Sequence, residues 1–159
     1  MSFRRCYCYC LFTFCLLFSL VTSRLLAEDA PFDSSRFEIT QLTSELVQPM
    51  ELAVASDGTV FFIELGGKLK SFNPVDQKVV LVGEIKITTE QENGLIGLTL
   101  DPKFSDNHWV YLQYSPPDFS GQHISRFTLV DGKLDLESEK LLLKYEEQRH
   151  EDAYCHRTR

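Results

Sequence analysis

The chain has 159 residues, 43% hydrophobic and 25% charged, with a formal net charge of -7. That is enough for one ordinary globular domain. The acidic balance and the lack of a Lys/Arg stripe beyond the extreme N-terminus exclude nucleic acid as a partner, because phosphate contacts require clustered cations.

The N-terminus reads as a leader and not as part of the fold. Arg4 and Arg5 give a positive start, and an apolar run over 6–21 carries Leu11, Phe12, Phe14, Leu16, Leu17, Phe18 and Leu20. Small residues follow at Ser23 and Ala27, the pattern of a secretory signal peptide with cleavage expected after Ala27, or alternatively after Ser23. The run is shorter than the roughly 20 residues a membrane anchor needs, so no stable span is expected after cleavage. Four of the five cysteines lie in this leader, and Cys155 alone remains for the mature chain. One cysteine forms no internal disulfide, so an exported protein of this kind must be held by its core.

A polar stretch over 28–36 leads into short β-type segments. Residues 37–42, 50–55, 59–64, 68–72 and 79–85 alternate apolar and polar or run β-branched and aromatic, as strands do. Asp57-Gly58, Gly66-Gly67 and Asn73-Pro74 punctuate them as turns. The theme then repeats. Residues 95–100, 109–114 and 123–130 read as strands, separated by Asp101-Pro102 and by Pro116-Pro117 with Gly121. Asp131-Gly132 marks a second tight hairpin, and 141–143 reads as a last short strand. No helical period follows the leader. The segments from 50 to 85 and those from 95 to 143 make two successive four-stranded groups, which favour all-β propeller blades over a sandwich or barrel.

The segment Gly94-Leu95-Ile96-Gly97-Leu98, followed by Asp101-Pro102 and Phe104, resembles the signature of the glucose/sorbosone dehydrogenase family. Supporting likenesses occur in order: Pro49-Met50-Glu51-Leu52-Ala53-Val54 with Phe62-Ile63-Glu64, Asn107-His108-Trp109-Val110-Tyr111, Ile124-Ser125-Arg126-Phe127 and Ser138-Glu139-Lys140-Leu141-Leu142. The resemblance implies four-stranded antiparallel blades of a six-bladed β-propeller, with only about the first two blades present over 37–145. An irregular truncated tail over 146–159 would then follow. It further implies an exported (periplasmic or secreted) oxidoreductase acting on a sugar or alcohol by hydride transfer to pyrroloquinoline quinone, held with calcium. The chain alone is expected to bind neither group and to be inactive.

Two positions carry the implied site. His156 matches the family's general base, for which an imidazole suits because its ordinary pKa lies near the working pH. The Arg157-Thr158-Arg159 that follows departs from the family's Gly-rich turn. Glu92 stands where relatives have a cofactor-contacting Gln, and an ionised Glu only accepts where Gln also donates. No metal site is assigned. His150, Glu151, Asp152, Cys155 and His156 lack the paired spacing of a zinc site. Gly94 and Gly97 lack the helix and Lys-Ser/Thr of a phosphate loop. A non-catalytic propeller that binds a protein or glycan is the alternative, since fold does not fix function.

Overall fold

The computed structural model describes residues 34–89 and 93–147. Contacts divide the chain into a unit over residues 1–39 and a second from residue 40 onward. Of the first, a single 3-10 turn, Ser34–Arg36, is described. The expected strand over 37–42 does not form. Phe37 and Ile39 are exposed, and none of the strand pairings among the described residues includes this segment.

Among the described residues the second unit is all-β, with eight strands in two antiparallel meanders. The first sheet runs β1 (Pro49–Val54), β2 (Val60–Glu64), β3 (Lys68–Asn73) and β4 (Lys78–Glu84). The second runs β5 (Leu95–Leu100), β6 (Trp109–Tyr114), β7 (Gly121–Val130) and β8 (Lys133–Glu146). The sequence turns close these hairpins: Gly58, Gly67, Asp131 and Gly132 all take the positive φ that such turns require. Two further elements differ from the sequence reading. The last strand is 14 residues long, because bulges let it follow all of β7. A one-turn helix, α1 (Phe104–Asn107), follows Asp101; it is too short to show a helical period in sequence.

Each sheet buries one face against the other. Phe61, Ile63, Leu69 and Val82 of the first, with Ile85 just past β4, form a single core with Leu95, Leu98, Val110, Leu112, Tyr114, Phe127, Leu129 and Leu134 of the second. Within β2, β6 and β7 these are alternate positions, as the two-residue side-chain period dictates, and a register shift in β5 brings Leu95 and Leu98, three apart, to the same face. Polar ties cross the same interface. The Glu51 carboxylate accepts the Leu98 N–H at 2.8 Å, the Leu95 N–H donates to the Leu65 carbonyl at 3.0 Å, and the Lys133 ammonium donates to the Leu81 carbonyl. Gly83 lets β4 approach β8, since a Cβ there would lie 2.5 Å from the Leu134 Cβ. The two sheets are thus adjacent four-stranded blades, with β1 and β5 leading and β4 and β8 outermost in each meander.

Candidate functional site

In a four-stranded meander, alternate loops fall at the same end. The register places Pro49 opposite Glu64, Lys68 opposite Glu84, Leu95 opposite Tyr114 and Gly121 opposite Glu146. One end therefore gathers the β2–β3 turn, the end of β4, the start of β5, the β6–β7 loop and the end of β8. Glu92 and His156 both lie outside the described residues. The described residues nearest to them in sequence, Asn93 and (nine residues before His156) Glu147, both stand at this end.

A chain of hydrogen bonds joins those two anchor points. Asn93 is buried at the head of β5. The Gly94 N–H donates to Ser115 Oγ at 3.2 Å, and the Ser115 N–H donates back to the Gly94 carbonyl at 3.0 Å. Ser115 Oγ also accepts from Gln122 Nε2 at 2.6 Å, and the same amide nitrogen reaches the Glu147 carboxylate at 3.3 Å. Ser115 and Gln122 are fully buried, and Gln122 Oε1 makes no hydrogen bond. The backbone here is fixed by packing as well. Gly94 has φ +155, and a Cβ on it would lie 2.4 Å from Leu65 Cδ1 and 2.6 Å from the Leu65 carbonyl oxygen. Only glycine tolerates that approach, which gives a physical role to the glycine in the family-like segment.

Charge at this end is mixed. Glu64 Oε1 accepts from the Lys70 ammonium at 2.6 Å and from the Val47 N–H at 2.9 Å. Burial pushes the Glu64 carboxyl up, but these two bonds and the charges of Lys70 and Lys68 outweigh it and hold the pKa below the usual glutamate value. Lys68 and Lys86 are exposed, as are Glu84 and Glu146. An 820 Å³ cleft beside this end is lined by Glu84, Lys86, Pro117, His123, Glu139 and Leu141, among others. In it the Tyr114 hydroxyl donates to Glu139 at 2.5 Å, and the Ser125 hydroxyl to the same oxygen at 2.7 Å. Burial, and then the Glu139 bond, drive the Tyr114 phenol far above its ordinary pKa, so it stays a neutral donor.

Neither described histidine is paired with a carboxylate. His123 lies against the rings of Tyr114 and Phe119, at 5.7 and 5.3 Å between centroids. His108 closes α1 in the left-handed region, at the other end of the blades. No group of three or more metal-ligating side chains occurs among the described residues.

Sequence reading placed Glu92 and His156 in the site but passed over Ser115, Gln122 and Glu51. Gln122 carried a weak signal, a long polar residue at the first core-facing positions of a strand. Glu51 carried one too, a carboxylate inside the otherwise apolar stretch 50–54.

The family model described as Glucose / Sorbosone dehydrogenase matches residues 46–158. No curated protein matches the chain. Among solved structures, an oxidoreductase (glucose dehydrogenase) from Thermus thermophilus superposes with TM-score 0.60 at 20% identity, over 67% of this chain and 32% of that one. The PQQ-bound aldose sugar dehydrogenase from Streptomyces coelicolor gives TM-score 0.60 at 19% identity, over 67% and 33%. The apo form of the soluble aldose sugar dehydrogenase from Escherichia coli gives 0.53 at 19%, over 62% and 30%. The chain thus spans about a third of the length of each. This likeness establishes the two sheets as β-propeller blades.

Proposed function

The chain belongs to the glucose/sorbosone dehydrogenase family, and on that premise we propose that it forms part of an exported quinoprotein dehydrogenase acting on sugars or related alcohols. The reaction class is oxidation of a sugar hydroxyl by hydride transfer to a quinone. The observation that carries the reading is the loop end itself. It holds Asn93 and Glu147, the described residues nearest in sequence to Glu92 and His156, and bonds run from Gly94 through Ser115 and Gln122 to Glu147. In this reading His156 receives the hydroxyl proton, and Glu92 borders the sugar and cofactor. Export rests on the leader with its cut after Ala27.

The described residues do not by themselves fit pyrroloquinoline quinone. A tricarboxylate needs converging cations, and Lys70 is already neutralised by Glu64 while Lys68 stands opposite Glu84 and Lys86 beside it. Nor do they gather ligands for calcium. Both groups would be held by residues beyond those described. The same mismatch favours the second reading, a propeller that binds a glycan or protein without redox chemistry.

A chimera separates the two. Residues 46–158 replace the matching third of the Streptomyces coelicolor enzyme, and dye reduction is followed with a panel of aldoses, quinone and calcium. Reduction that is lost on His156→Ala supports the dehydrogenase. A folded, quinone-binding chimera that retains aldose but reduces no dye overturns it in favour of the binding module.

A further inference from the structure

The cleft of about 820 Å³ runs along the rim where the two blades meet, and both of its walls belong to described residues. Ile85 and Lys86, just past β4, form one wall, and His123, Phe127, Glu139 and Leu141 of β7 and β8 form the other. Alternation along β7 turns His123, Ser125 and Phe127 to one side, the side on which Phe127 shares the core with the first blade. The cleft lies over the outer strands of the second blade and takes in neither β5 nor the segment before it.

One carboxylate in this cleft is held from beneath. The Tyr114 and Ser125 hydroxyls, which donate to the same oxygen of Glu139, belong to residues 4% and 0% exposed, while Glu139 is itself exposed. Two buried hydroxyls on separate strands thus fix the direction of a charge that faces the open cleft. No ammonium or guanidinium pairs with Glu139 among the described residues. The other charged groups of the lining are Glu84 and Asp118 against Lys86, so carboxylates are in excess. Much of the remaining surface is flat and apolar, from the Tyr114 ring to Pro116, Pro117 and Leu141. At the same rim the Lys144 ammonium lies 5.1 Å over the Phe119 ring, which packs on His123 at 5.3 Å. An aromatic face here therefore already carries a cation.

We propose that this cleft between the blades binds a small organic cation, an ammonium or guanidinium group carried on an apolar body. The charged end pairs with the Glu139 carboxylate, and the body lies against Tyr114, Pro116 and Leu141. Clefts of this volume, apolar with a few fixed polar groups, are the usual form of small-molecule sites. The excess of carboxylates repels an anion. A neutral ligand of the same shape gains the apolar contact alone, whereas a cation also meets an oriented charge whose position is set before it arrives, so little ordering is left to the binding step. The site is independent of the dehydrogenase reading, because it stands on the outer half of the second blade and requires no redox chemistry.

Titration calorimetry of the full chain with phenethylamine tests this, with 2-phenylethanol and phenylacetate as the neutral and anionic counterparts. Phenethylamine should bind one to one with a Kd of about 1 mM or tighter. The alcohol should bind at least about tenfold more weakly, and phenylacetate not at all. Raising salt from about 0.05 to 0.5 M should weaken the amine and leave the alcohol unchanged. Glu139→Gln keeps an acceptor for the two hydroxyls but removes the charge, so it should bring the amine down to the affinity of the alcohol. Should that variant fail to fold, Lys86→Glu on the exposed wall should tighten amine binding by about two- to fivefold. Amide chemical shifts should move with the amine at Lys86, Asp118, His123 and Glu139. Equal affinity for amine and alcohol, no amine binding up to about 10 mM, shifts centred elsewhere on the chain, or an affinity that neither substitution changes overturns the proposal.

Discussion

Replacing Glu51 with alanine should loosen the first blade from the second. Glu51 lies on β1, yet its Oε2 accepts the N–H of Leu98 on β5 at 2.8 Å. Leu98 is only 5% exposed, so its freed amide gains little access to water. A hydrogen bond to a charged group contributes about 1.5–3 kcal/mol, and an amide left unpaired in a buried setting costs a similar amount. Glu51 itself is exposed, so the lower end applies, about 1.5 kcal/mol for Glu51→Ala. Glu51→Gln keeps an acceptor oxygen without the charge and should lose about half of that. Urea unfolding followed by tryptophan fluorescence reads both, because the single Trp109 sits in the second blade. Far-ultraviolet circular dichroism reports on both blades together. In the wild type the two probes should give one coincident transition, and in Glu51→Ala the midpoint should fall with the slope unchanged. Equal stability of Glu51→Ala and the wild type would refute the reasoning, as would a glutamine variant no better than alanine.

Other outcomes follow from the same geometry. Gly94→Ala, with φ +155 and a contact 2.4 Å from Leu65, should cost at least about 2 kcal/mol; Gly66→Ala, with nothing within 4 Å of its added carbon, should shift the thermal midpoint little. The Glu64 carboxyl has its native pKa held below the ordinary 4.5, so its contribution to stability is complete above that value and is lost as pH falls through the lower native one. Denaturant midpoints of wild type and Glu64→Gln should therefore converge as pH drops below about 4.5; a gap that stays constant from pH 7 to 3 would contradict the Lys70 and Val47 bonds as its source. If the leader is removed as read, mass spectrometry of the secreted protein should find Glu28 at its N-terminus.

The strands were legible because a half-buried strand has to alternate, and the turns because a positive φ selects Gly, Asn or Asp. Residues 59–64, 68–72, 95–100 and 109–114 fall on observed strands nearly to the residue. Residues 37–42 alternate equally well and form no strand: alternation states what a segment could bury, not whether a neighbour lies beside it. The reverse error befell β8. Its exposed outer edge carries charges between its leucines, so 141–143 alone looked strand-like, although β7 pairs with it from Lys133 to Glu146.

The sequence by itself determined the all-β class, the two groups of four strands and the family, because local periodicity and turn chemistry are written residue by residue. Tertiary structure alone decided which residues meet. The Glu51–Leu98 bond joins residues 47 apart, and the Ser115–Gln122 pair bridges the bases of segments that lie far apart in the chain. No local pattern encodes such contacts. They arise only when two apolar sheet faces stack and bring one end of each meander to the same place, leaving the polar groups there to pair with one another.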